Sequence, residues 1–340
     1  MQKSNSHTKS KNERKSIRKI LRILKRRSNN SLKIAREAIL KENIQSREAR
    51  EAQKYYADDF LEPTPSALLA LTCEAAGQSA EKTFLMGAAL TLLVGAVDIH
   101  DDIIDQSIKK FDRLTVFGKF GKEIALLTGN AFLFEGFILF HKATRPFDLE
   151  KANCLAETMK AAFFEMGDAH ALEAGLKGTL EISPKEFLRI VEMKAACWEA
   201  ITKVGAIIGD ATEKEIEALA RYGRIWGMLS TIRNDFIDLF EIDELRNRML
   251  NEILPLPILY TFDDPIMKKK IITTLSKKKV TKNELEVTLN MILEARQINS
   301  LKKLMQELIY EAKSCLATLK ESEARSILET FVSSMLEDLN

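Results

Sequence analysis

FLMGAALTLLVGAVDIHDDIID, residues 84–105, joins an uninterrupted apolar run to a cluster of aspartates. The run, Phe84 to Val97, has fourteen residues. That is short of the ~20 a membrane-spanning helix needs, so the expectation is a helix buried in a protein core. Asp101 and Asp105 are four apart and share one face of that helix, with Asp102 beside them. Three like charges within about a turn destabilise a helix unless something offsets the repulsion. A divalent cation does so economically, because magnesium prefers carboxylate and phosphate oxygens.

A second cluster follows more than a hundred residues later. In TIRNDFID, residues 231–238, Asn234 and Asp238 share a helix face, Asp235 lies beside them, and Glu241 continues the stripe. The neighbours of both clusters are apolar: Val97, Ile99, Ile103 and Ile104 around the first, Ile232, Phe236, Ile237 and Leu239 around the second. Carboxylates embedded this way are costly unless paired or metal-bound. One such cluster alone reads equally well as a solvated helix surface. Two, both on apolar helices, point to a shared metal site.

Outward from these motifs, helical periodicity dominates. Candidate helices cover 31–57, 64–77, 80–106, 119–142, 149–176, 184–209, 213–242, 254–261, 264–276, 282–297, 299–318 and 321–338. Ser183-Pro184-Lys185-Glu186 reads as an N-cap with proline at N1, Thr212 with Glu215 as a capping box, and Thr281 with Asn283 as another helix start. Only 7 prolines and 14 glycines occur, which suits long helices. Strand-like alternation is absent. The expected fold class is all-α, as one domain over 31–340 behind a basic tail over 1–30.

Eleven Lys/Arg and one acid, Glu13, fall within residues 1–27, giving +10 there; the overall net charge of +2 leaves −8 for the rest. Residues 1–15 read as unstructured. Residues 16–27 read as a short basic amphipathic helix, with Ile17, Ile20, Leu21 and Leu24 on one face. Such a helix packs on the body, stays solvated, or makes a peripheral membrane contact. Nucleic acid is not an expected partner, because the body lacks basic patches interleaved with aromatics. No signal peptide is read at the start, since Arg and Lys interrupt its apolar residues. The four cysteines are scattered without a metal spacing, which leads to the expectation of a reduced, cytoplasmic setting.

Five segments in order carry a family resemblance: HDDIID (100–105), TVFGKFGKEIALLTGNAFL (115–133), EFLRIVEMKAACWEA (186–200), TIRNDFID (231–238) and NEILPLPILY (251–260). Together they resemble the trans-isoprenyl diphosphate synthases, the polyprenyl synthetase family, over about 67–260. The resemblance implies the class I isoprenoid synthase fold, a bundle of long helices around a central cavity. It implies a prenyltransferase that joins an allylic diphosphate to isopentenyl diphosphate. Asp101 and Asp105, with Asp102 alongside, would ligate two magnesium ions bridging the allylic diphosphate. Asn234 and Asp238, with Asp235 nearby, would help hold a third. Lys109, Lys110 and Arg113 stand where the family places basic residues on the diphosphates, and Lys194 would touch the allylic one. Ala96 and Val97, with Gly95 next, occupy the positions that limit chain length. None is aromatic, so the implied product is C20 or longer. The family is commonly dimeric, so a homodimer is implied, with a heteromer as the other arrangement.

Two departures keep other reactions open. The family's Gly-Gly-Lys-x-x-Arg-Pro segment, which binds isopentenyl diphosphate, is here Phe60-Leu61-Glu62-Pro63-Thr64-Pro65, without its two basic residues. Each lost charge-assisted contact is worth ~1.5–3 kcal/mol. The second motif begins with Asn234 rather than aspartate, and Thr231 replaces a usual glutamine. Asp98 is an acid where an aliphatic is usual. The alternatives are a class I terpene cyclase or lyase, which needs no isopentenyl diphosphate, and a non-catalytic or weakly active subunit of a heteromeric synthase.

Overall fold

The structure is a computed structural model that describes residues 2–110, 113–277 and 279–337, with side chains from Ile20 onward. Its elements are α1 (Gln2–Leu40), α2 (Arg47–Asp59), α3 (Thr64–Ala75), α4 (Phe84–Ile104), β1 (Lys109–Lys110), β2 (Arg113–Leu114), α5 (Val116–Thr144), α6 (Leu149–Gly175), α7 (Pro184–Lys194), α8 (Ala196–Ile208), α9 (Glu213–Asp238), α10 (Ile242–Asn251), α11 (Leu256–Thr261), α12 (Pro265–Leu275), α13 (Lys282–Leu293), α14 (Arg296–Leu316) and α15 (Glu323–Ser333). The all-α expectation holds.

The apolar run becomes α4, packed between α1, α3 and α5. Leu90, Leu92, Ala96 and Ile99 are fully buried on it. By length and composition both α4 and α5 could cross a membrane, but α4 is spent on the core. Opposite it, α8 packs against α3, α6 and α9. Tyr222, Leu229, Ile232 and Phe236 of α9 are buried in the largest core cluster. The two acidic motifs therefore hang from the C-terminal ends of two helices that the core fixes.

The three sequence-legible helix starts are capping boxes, at Ser183/Glu186, Thr212/Glu215 and Thr281/Glu284. Other boundaries differ from expectation. Helix α1 begins at Gln2 rather than after an unstructured segment. No glycine or proline occurs between Gln2 and Leu40, so neither of the strongest helix breakers interrupts α1. It also runs unbroken through position 30. Ile20, Ile23 and Leu24 pack on the main core, while Leu21 is exposed. The side chains of Ser16 to Lys19 lie outside the described residues. The chain leaves the helix after Leu40 and restarts at α2, where the Ser46 hydroxyl accepts from the Ala49 N–H.

A two-residue hairpin, Lys109 opposite Leu114 and Lys110 opposite Arg113, interrupts the bundle after the first motif. Strands this short leave no alternation to read. Gly118 lets the start of α5 approach the hairpin: a Cβ there would lie 2.1 Å from the Ile108 carbonyl oxygen. Gly121, at φ +80°, kinks α5 in a conformation that other residues rarely adopt.

Candidate active site

Both acidic motifs occupy the last turns of their helices, α4 and α9, and neither turn holds a basic residue. The C-terminal end of a helix carries partial negative charge, so carboxylates there are doubly disfavoured. The two ends face each other across a cavity of about 300 Å³. Eight carboxylates line it, Asp101, Asp105, Glu173, Asp235, Asp238, Glu241, Glu244 and Glu252, against four cations, Lys109, Lys110, Lys194 and Arg248. That surplus calls for added positive charge.

The first motif splits by geometry. Asp101 and Asp105 face the cavity. His170 Nδ1 lies 2.9 Å from Asp101 Oδ1, yet without hydrogen-bond alignment, so this covered oxygen keeps an unsatisfied lone pair. Lys177 Nζ is 3.7 Å from Asp105 and donates to the Ile104 carbonyl. Asp102 turns the other way, to Lys110 Nζ at 2.7 Å, which also donates to Asp98 at 2.7 Å. Tyr56 donates to the same Asp98 at 3.0 Å, so the unusual acid at 98 is balanced within the protein.

Lys194 ends α7 and donates to Glu173 on α6 at 2.6 Å. Burial opposes its charge, but Glu173, Asp101 and Asp105 outweigh that and hold its pKa above the ordinary lysine range. Burial also acts on Asp101, but Lys194 and His170 prevail and keep it well below the usual carboxylate range. Burial, with Asp101 and Glu173 nearby, pushes Asp105 up to about 7. Burial likewise takes Asp102 to about 7, Asp238 to about 6 and Glu252 to about 8.

These raised groups make a testable sign. They start from 3.8 for aspartate and 4.5 for glutamate. The folded chain therefore keeps protons that the unfolded chain has released, and stability falls as pH rises from about 5 to about 8. Asp101 has the opposite sign, but its gain is complete below that window. In scanning calorimetry with a chelator, the melting temperature should fall by several degrees over this range. A rise across it would contradict the burial of these carboxylates.

The second motif is arranged differently. Asp235 is buried, and Arg248 of α10 bridges it to Asp238, with Nη1 2.7 Å from an oxygen of each. Asn234 also lines the cavity. Of the basic residues expected after the first motif, Lys109 and Lys110 line the cavity. Arg113 does not; it pairs with Asp59 at 3.2 Å on the surface.

A second cavity, of about 330 Å³ and almost wholly apolar, opens between α4, α5, α6 and α8. Val97, one turn before Asp101, lines it with Val94, Leu93, Leu90 and Met159, and Phe137, Phe163 and Phe164 form its outer wall. Ala96 does not line it; it is buried in the cluster formed with α1, α2 and α5. Gly95 faces Tyr56, where an added Cβ would come within 2.9 Å of the ring.

The Phe60–Pro65 segment offers no cation. Glu62 accepts from the Thr64 hydroxyl and, at 3.2 Å, from the Thr64 N–H, so it closes the start of α3. His170, Glu173, Lys177, Arg248 and Glu252 were not singled out by sequence. His170 and Glu173 sit three apart on α6, a polar pair with helical spacing that could have drawn notice. For Arg248 only its closeness to the NEILPLPILY segment was a signal.

The donor set fits a metal at the first motif, where two cavity-facing carboxylates and an unsatisfied oxygen meet. It does not fit one at the second, whose charged members are held by Arg248. Among the described residues no three carboxylate, imidazole or thiolate groups form a ready-made cage. An ion here would complete its shell with water and substrate oxygens, as magnesium usually does.

Comparison with known proteins agrees with this geometry. The profile of the polyprenyl synthetase family matches residues 64–292. A geranylgeranyl diphosphate synthase of Methanosarcina mazei is 23% identical over 287 residues, covering 83% of this chain and 87% of its own. A short chain isoprenyl diphosphate synthase of Methanothermobacter thermautotrophicus is 30% identical over 186 residues, 52% of this chain and 54% of its own. Among solved structures, geranylgeranyl pyrophosphate synthetase from Pyrococcus horikoshii superposes with a TM-score of 0.81 at 21% identity, over 94% of this chain and 98% of that one.

Proposed function

The chain belongs to the polyprenyl synthetase family, a family of prenyltransferases, and from that premise we propose that it condenses an allylic diphosphate with isopentenyl diphosphate, with magnesium, to a prenyl diphosphate of C20 or longer. The observation that carries this reading is one face of α4. Asp101 opens on the charged cavity, and Val97, a turn earlier, opens on the apolar one. A molecule with a diphosphate head and a hydrocarbon tail spans both.

The chain's own groups divide the work. Asp101 and Asp105 would hold the metal, which would supply Lewis-acid neutralisation of the leaving diphosphate. Lys194, kept protonated by Glu173, adds a fixed positive charge where negative charge develops as the C–O bond breaks. The diphosphate departs with the bonding electron pair. The apolar cavity excludes water from the allylic cation, which would otherwise be quenched to an alcohol. The double bond of isopentenyl diphosphate then attacks, and the adduct loses a proton to the departed diphosphate.

One observation favours a second reading, a class I cyclase or lyase. The Phe60–Pro65 segment carries no basic residue of its own, and the cations after the first motif are engaged elsewhere, Lys110 by Asp98 and Asp102 and Arg113 by Asp59. Incubation with magnesium and farnesyl diphosphate, with and without isopentenyl diphosphate, separates the two. Elongation to C20 or beyond only with both substrates is the expected result. Hydrocarbon or alcohol from farnesyl diphosphate alone would establish the cyclase, and turnover only with an added second subunit would establish the heteromer. Val97→Phe should shorten the product by at least one five-carbon unit. Unchanged product length would remove Val97 from the cavity wall.

The same reading includes a homodimer. The outward faces of α5 and α6 expose Leu127, Phe134, Phe137, Ile138 and Phe164, with Phe134 72% and Phe164 71% accessible. The Phe137 and Phe163 rings, 6.5 Å apart, join the two helices into one apolar surface. Apolar patches of this kind mark association sites. Phe134→Glu should convert a dimer to a monomer in sedimentation velocity. A wild-type chain that sediments as a monomer would overturn the assignment.

A further inference from the structure

The second acidic cluster already contains a cation. Asp235 has both oxygens engaged: Oδ1 accepts from Arg248 Nη1 at 2.7 Å and Oδ2 from the Leu256 N–H at 2.8 Å. Asp238 Oδ2 accepts from the same Nη1 at 2.7 Å. Arg248 is only 6% exposed, and its Nε donates to the Ile253 carbonyl at 3.0 Å, with Glu252 3.7 Å away. The guanidinium is thus tied to α9 on one side and to the backbone entering α11 on the other. It cannot shed its proton, so its charge is permanent. The remaining member, Asn234, has no charge to give a metal. An ion between Asp235 and Asp238 would compete with Nη1 for Asp235 Oδ1 and Asp238 Oδ2 or displace the Leu256 N–H from Asp235 Oδ2, and otherwise would have only Asp238 Oδ1 and the uncharged Asn234 to bind. The first motif contrasts with this, since Asp101 there retains an oxygen without a hydrogen bond.

We propose that Arg248 is the resident cation of the second motif, and that the site takes up two divalent ions with a bound diphosphate rather than three. This rests on reading Asp101 and Asp105 as a metal–diphosphate site. The positive charge that a third ion would bring is here supplied by a side chain. The second motif then acts as a joint between α9, α10 and α11 that holds Arg248 facing the diphosphate.

The count can be read without turnover. The full chain is titrated with Mn²⁺ in excess inorganic diphosphate, and free Mn²⁺ is followed by electron paramagnetic resonance. Two ions per chain are expected, and two again in Arg248→Lys. Arg248→Gln, which removes the charge, should admit a third. Three ions in the wild-type chain would overturn the proposal, as would a count of two in folded Arg248→Gln, with folding checked by circular dichroism. If that variant does not fold, the wild-type count still decides. Binding of two ions that survives Asp101→Ala with Asp105→Ala would instead overturn the metal-site reading on which the inference stands.

Discussion

Replacing Asp101 and Asp105 together with alanine should abolish diphosphate turnover while leaving the chain folded. Removing a single preorganised group that stabilises developing charge costs ~10²–10³ in rate. Removing both metal-facing carboxylates should therefore cost at least ~10³, or about 4 kcal/mol at 1.36 kcal/mol per decade. Release of inorganic diphosphate from farnesyl diphosphate in the presence of isopentenyl diphosphate and magnesium measures it. The fold should survive, because neither carboxylate is the sole partner of a buried cation. Lys194 keeps Glu173, and Lys177 keeps the Ile104 carbonyl. Asp105 is moreover a burden in the metal-free protein, since burial among other acids pushes it up to about 7. Turnover within tenfold of wild type would show that the diphosphate binds elsewhere.

The arrangement that supports this result was legible in parts, and the parts have a common cause. Helix α4 could be read because burial of one element leaves a continuous apolar run. Helix starts could be read at Ser183, Thr212 and Thr281, because a capping box is local and needs no tertiary partner. The helix breaks at Ala195 and between Asp238 and Ile242 were not legible, because both lie inside stretches whose apolar periodicity continues across them. The hairpin at 109–114 was missed because two-residue strands have no period.

Side-chain direction was more legible than the family pattern suggests. Each helical residue turns ~100°, so Val97, four before Asp101, lies within ~40° of it, while Ala96, five before, lies ~140° away. The helical turn alone separates the cavity-lining Val97 from Ala96, which packs against α1, α2 and α5. The same rotation sends Asp102 to Lys110 instead of the cavity. Arg248 is a different matter. An arginine ten residues beyond Asp238 has no local relation to it, and only the turn between α9 and α10 brings the two within 2.7 Å.

Arg248→Ala should accordingly be the most destabilising single change in the site. Breaking a buried ion pair by removing one partner costs ~3–5 kcal/mol, because the surviving charge stays buried without compensation. Here two carboxylates are orphaned, and the Ile253 carbonyl loses its donor as well. At ~2–4 °C per kcal/mol the melting temperature should fall by roughly 6–20 °C. Arg248→Lys should recover part of this, since it returns the charge but not a donor geometry that reaches both Asp235 and Ile253. The deficit should also depend on pH. Burial already lifts Asp238 to about 6 with Arg248 beside it. Without the guanidinium its folded pKa rises further, so the variant loses additional stability as pH climbs from 6 to 8, whereas at pH 5 a proton on Asp238 does part of the arginine's work. Melting of both chains at pH 5 and pH 8 measures the difference, and an equal deficit at the two would mean that Arg248 acts through packing rather than charge.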